Sequence, residues 1–124
     1  MDIAAQDVAL LDIIESQRLH QLEEMYSLRN AAAVRCFLHT YPQLVEVLLE
    51  ARLYLQKYFG PAPQVTLEVV SDPEVEGVEE LFAYILTSLP VDEALARLDR
   101  LDEEWFLDQL DRVGGRFNFN LEFV

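Results

Sequence analysis

The spacing of apolar and polar positions divides the chain into helices first and strands later. Over residues 1–30, Ile3, Val8, Leu10, Leu11, Ile14, Leu19, Leu22, Met25, Tyr26 and Leu28 recur at helical spacing, so the segment reads as one amphipathic helix. Glu15 and Arg18 intrude on the apolar face, which predicts partial burial and leaves the stripe as either core or dimer seam. Residues 31–41 continue helically up to Pro42, which has no N–H to donate and biases Tyr41 away from helix. A further helix starting at Pro42 carries Leu44, Val45, Leu48, Leu49, Leu53 and Leu55. It stops at Gly60-Pro61, where glycine suits the left-handed cap and proline blocks continuation.

The period then changes to two. Val65, Leu67 and Val69 alternate with Thr66 and Glu68 in a strand over 65–70, followed by the acidic connector SDPEVEGVEE. Residues 81–88 are apolar on both faces, as a central strand requires. Pro90 opens a helix with Asp92 and Glu93 at its positive end, burying Val91, Ala94, Leu95, Leu98 and Leu101, with a kink or restart near Asp102. After Gly114-Gly115, Phe117, Phe119, Leu121 and Phe123 alternate with Asn118, Asn120 and Glu122, a strand with one buried face. The expected fold is one α+β domain over 1–124. A helical part, 1–60, precedes an acidic β-β-α-β part, 61–124, whose three-stranded sheet packs helices on one face. Parallel pairing of the last two strands would call for a right-handed crossover.

Charge divides the chain at the same point. Residues 61–124 hold 15 Asp and Glu against 4 Arg, and residues 1–60 hold 8 against 5, within a total of −14. The acidic half is the half with strand patterning, so the charge coats a folded body. Nine scattered basic residues argue against a nucleic-acid backbone or anionic membrane as ligand, since such affinity rests on clustered Lys and Arg. A basic protein partner is the complement that the charge favours. The single cysteine, Cys36, excludes an internal disulfide and reads as a buried small hydrophobe within AAAVRCFLH. The N-terminus lacks a basic region ahead of its apolar residues, and no run approaches a membrane span, so the expected location is cytoplasmic.

Several phrases carry a family likeness. They are Tyr58-Phe59-Gly60-Pro61, Leu67-Glu68-Val69-Val70 with Asp72-Pro73, Leu81-Phe82, Thr87-Ser88-Leu89-Pro90-Val91, Glu93-Ala94-Leu95, Arg97-Leu98-Asp99, Asp102-Glu103-Glu104-Trp105, and Asn118 to Phe123. Through these, residues 58–124 resemble a group of short uncharacterised bacterial proteins, mainly cyanobacterial. The resemblance implies a shared compact fold and brings no known activity and no functional residues.

Signals for catalysis are sparse. Asp72, Glu74, Glu76 and Gly77 occupy positions 1, 3, 5 and 6 of a calcium-loop pattern, but position 12 is Ala83, Pro73 intervenes and strands flank the segment. His20 and His39 lie in separate stretches without a zinc motif. Ser71-Asp72 and Thr87-Ser88 sit at strand ends without a nucleophile elbow, and Gly114-Gly115 opens no phosphate-binding helix. No cofactor is implied. The densest constellation is Asp99, Glu103, Glu104, Trp105 and Asp108, where like-charge pairs at i,i+4 repel unless a basic group relieves them. These five residues are the candidate partner-binding site. An exposed aromatic among carboxylates would be an interface hot spot, although core burial of Trp105 and Phe106 is the commoner outcome.

The sequence therefore reads as a small acidic, non-enzymatic protein-interaction module, self-associating into a homo-oligomer. One alternative is an acidic inhibitor of a basic protein such as a nuclease or toxin, docking through 99–111. A second is a divalent-metal enzyme using carboxylates near 68–80.

Overall fold

In the computed structural model the backbone is described for residues 3–75 and 77–124, and the side chains for 13–75 and 77–124. Three helices lead: α1 (Ile3–Met25), α2 (Ala31–Thr40) and α3 (Gln43–Phe59), with a two-residue strand β1 (Ser27–Leu28) between the first two. Then come β2 (Gln64–Ser71), β3 (Glu79–Thr87), α4 (Val91–Glu104), a 3₁₀ turn at Phe106–Gln109, the single turn α5 (Leu110–Val113) and β4 (Phe117–Phe123). The class is α+β, as the change of period from helical to alternating requires.

The sheet has four strands in the order β1-β2-β3-β4. β2 and β3 form an antiparallel hairpin in which Leu67 faces Ala83 and Ser71 faces Glu79. β4 runs parallel to β3, with Leu81 opposite Phe117 and Thr87 opposite Phe123. β3 is thus internal to the sheet, and its stretch over residues 81–86 is apolar on both faces. Its inward residues Leu81, Ala83 and Ile85 are wholly buried. They share one core with Val65 and Leu67 of β2, Phe117 and Phe119 of β4, and the α3 stripe Leu44, Val47, Leu48, Ala51 and Leu55. Alternation along the strands and 3.6-residue spacing along α3 present these two apolar surfaces to each other. Tyr26, just past α1, closes the core on that side, and its buried hydroxyl donates to the Leu48 carbonyl at 2.6 Å. Burial raises its pKa well above the ordinary tyrosine value.

The structure corrects the sequence reading at several points. The sheet has four strands, not three, because Ser27–Leu28 pairs in parallel with Thr66 and Leu67. Two residues are too few for any period to reveal. The first helix accordingly ends at Met25, and Asn30, in the left-handed conformation at φ 53°, turns the chain into α2. Leu53 is 71% exposed: it lies two residues from both Ala51 and Leu55, on the opposite side of the helix. Val91 and Leu95 form an outward i,i+4 pair on α4, while Ala94, Leu98 and Leu101 hold the inward stripe. Cys36 is exposed, turned away from the face defined by Val34, Phe37 and Leu38.

The break after α4 falls at Trp105 rather than Asp102. Trp105 leaves helical geometry at φ −143°, ψ −51°, and its ring enters the core to stack on Tyr54 at 5.0 Å between centroids. Phe106 follows it inward and meets Phe119 edge-on at 5.0 Å. The aromatic pair therefore binds the connection to both α3 and β4, with offset-stacked and edge-on geometries of the kind worth about 0.5–1.5 kcal/mol beyond burial.

Candidate interaction face

Among the described residues, the buried core lies against one face of the sheet. On the other, alternation places Glu80, Phe82, Tyr84 and Leu86 of β3 in a row, none of them buried. The register sets Glu68 of β2 and Asn118 of β4 on either side of Phe82. Thr66 and Asn120 flank Tyr84, and Gln64 and Glu122 flank Leu86. Phe82 and Tyr84 stack with centroids 5.8 Å apart. The face is thus an aromatic row set among carboxylates.

Arg29, which follows β1, crosses this face. Its Nη1 donates to Glu68 Oε2 at 2.7 Å, its Nη2 reaches Glu122 Oε2 at 3.3 Å, and its guanidinium carbon lies 5.7 Å from the centre of the Tyr84 ring. One cation thereby ties β2 to β4 over the ring of β3. The Glu68 bond, followed by the Glu122 charge, raises the Arg29 pKa further above its usual value. Desolvation, then the Glu68 charge, raises that of Tyr84. Glu80, partly desolvated, is also raised, so it binds its proton more readily than an ordinary glutamate.

The free edge of β4 is guarded separately. Leu81 N–H donates to Arg116 O, and Val124 N–H to Thr87 O, so the even-numbered residues of this strand turn their backbone groups toward β3. The N–H groups of Phe119 and Leu121 therefore point outward. Each donates to the side-chain oxygen of the preceding asparagine, Asn118 or Asn120, at 2.8 Å. Side chains at the polar positions thus occupy donors that another strand would otherwise use.

Of the five residues singled out from the sequence, the four carboxylates are exposed and Trp105 is not. Trp105 is 6% exposed, within the core. Glu104 pairs with Lys57 of α3. Asp99 and Glu103 are exposed on α4, and Asp108 is exposed on the 3₁₀ turn. The break at Trp105 removes Asp108 from the helical i,i+4 relation to Glu104 that continuous helix would have given. Asp102 adds a carboxylate beside them; its Oδ1 is buried without a hydrogen-bond partner among the described residues. Burial, then Asp99 and Glu103, raise its pKa.

The described carboxylates near 68–80 divide between the sheet and the connector. Glu68 and Glu80 lie on the open face, while Asp72 closes the connector by accepting the Glu74 N–H at 2.8 Å. Among the described residues no group of three or more His, Cys, Asp or Glu is placed to hold a metal ion, and no described helix is long and apolar enough to cross a membrane. Comparison with family models, curated proteins and solved structures finds no match to this chain.

Arg29 was the residue hidden from sequence reasoning. Its signal was Asn30 ahead of Ala31, a helix-start residue type that marks a break where helical periodicity suggested continuity. Phe82 and Tyr84 were legible as strand residues, but their exposure depends on whether a second layer covers that face.

Proposed function

We propose that this chain is a small non-enzymatic protein-interaction module, that the open sheet face is its contact surface, and that its partner is basic. The observation that carries the reading is the half-buried row Phe82, Tyr84 and Leu86, on the face opposite the core, among Glu68, Glu80 and Glu122. Aromatic rings supply contact area, and carboxylates steer a basic partner toward it. The acidic-inhibitor reading differs in the surface it uses, which would be the exposed acids of α4. A second reading, self-association through α1, draws support from the exposure of Ile13 (55%) and Ile14 (36%).

Capture from native lysate at low and high salt, with light scattering of the purified protein, separates these readings. The expected result is salt-sensitive capture of a basic protein, lost in a Glu68→Gln/Phe82→Leu double variant and kept in Glu103→Lys/Asp108→Lys. The reverse pattern would move the contact to α4. A dimer abolished by Ile13→Asp/Ile14→Asp, with no partner captured, would favour α1. A monomer that captures nothing would defeat the interaction reading.

A further inference from the structure

The open face already holds one guanidinium, and the residues beside it repeat the same chemistry without a cation. Arg29 lies over Tyr84 between Glu68 and Glu122. One step along β3, Phe82 presents a second ring on the same face, 5.8 Å from the first. Glu68 stands across the strand from Phe82, and Glu80 stands two residues before it on the same side. The Glu68 oxygen Oε2 is taken by Arg29, while Oε1 has no described hydrogen bond. Glu80 has no ion pair or side-chain hydrogen bond among the described residues, and it is partly desolvated. Glu68 faces Phe82 across a strand spacing of about 4.8 Å, and Glu80 lies about 6.6 Å along the same strand, so both carboxylates are close enough to flank a cation held within about 6 Å of the Phe82 ring.

We infer that the Phe82 shelf, with Glu68 and Glu80, is a seat for an arginine side chain presented by a basic segment of a partner protein. The inference rests on the reading of the open face as the contact surface and adds the chemistry of the residue it receives. Arginine fits better than lysine because its planar guanidinium stacks on a ring while its edge donors reach carboxylates on two sides. Charge disfavours a second copy as the occupant: Glu68, Glu80 and Glu122 against Arg29 leave each face with an excess of negative charge, and two such faces would repel. A basic segment removes that excess, and Glu80 gains the partner it lacks.

The test uses two labelled probes of equal charge, a hexa-arginine and a hexa-lysine peptide, titrated into the full chain with amide chemical shifts recorded. At this net charge both peptides will associate to some extent, so the comparison carries the result. Expected are hexa-arginine binding about five- to tenfold tighter than hexa-lysine and shifts centred on residues 68, 80, 82 and 84. Phe82→Leu, which keeps the apolar bulk and removes the ring, should erase the arginine preference, and Glu80→Gln should weaken hexa-arginine binding. Equal affinities for the two peptides, or shifts centred on Asp99, Glu103 and Asp108, would overturn the inference, as would a face-to-face dimer that excludes the peptide. A partner still captured through the open face, but indifferent to arginine, would overturn the inference while sparing the proposed function. Loss of capture altogether would count against both.

Discussion

Asp102 shows how a single side chain can work against the fold that contains it. It lies in the last turn of α4, where the negative end of the helix dipole already disfavours a carboxylate, and Asp99 and Glu103 stand beside it. Only Glu104 of that turn finds a cation, Lys57. With its folded-state pKa raised, Asp102 binds a proton more tightly in the native than in the unfolded chain. Its contribution therefore favours the fold below the ordinary aspartate range, near pH 4, and is lost as pH rises through the raised native value. Asp102→Asn should accordingly stabilise the protein at pH 7 by about 0.5 kcal/mol, the scale of helical like-charge relief. The gain should fade below about pH 4, where aspartate is itself neutral in both states. Urea unfolding of both proteins at pH 7 and pH 3.5 measures this; an equal difference at the two pH values would assign the effect to packing instead.

At the level of elements, β4 combines adhesion and restraint. Phe117 and Phe119 join the core, Leu121 packs against it, and Phe123, expected on the same buried face, is 47% exposed at the strand end. Asn118 and Asn120 guard the edge and so do more than face solvent. An Asn118→Val/Asn120→Val variant frees the Phe119 and Leu121 donors and adds β-formers on the solvent face. It should associate with rising concentration in light scattering while the native chain at matched concentration stays unchanged; unchanged scattering in the variant would deny the asparagines a guarding role. The period-two pattern made β2, β3 and β4 legible, because alternation is a local property of the strand. β1 was not legible: what defines it is parallel pairing with Thr66 and Leu67, about forty residues away in a chain whose local pattern still reads as helix. Where α4 ends was similarly set from a distance, by the space that Tyr54 and Phe119 leave for the Trp105 ring.

For the molecule as a whole, charge and its neutralisation are unevenly matched. Among the described residues, six of the nine basic side chains are engaged in ion pairs with carboxylates, spread over both halves of the fold. Exposed pairs of this kind add little stability, about 0–1 kcal/mol each, but they leave few cations to offset the remaining acids. Net acidity could be read from composition. The sheet face proposed as the contact surface could not, because it depends on which face the helices leave free, a property of assembly rather than of any one segment. Trp105 offers a way to observe that assembly directly. The chain has one tryptophan, stacked on Tyr54 and close to Phe119 on the covered side of the sheet. Its fluorescence should therefore peak at short wavelength in the native state, shift to the red on unfolding, and stay fixed when a peptide occupies the opposite face. A red shift during peptide titration would mean that the ligand opens the core instead of docking outside it. The indole thus serves as an intrinsic optical gauge that keeps recognition and unfolding apart without any label.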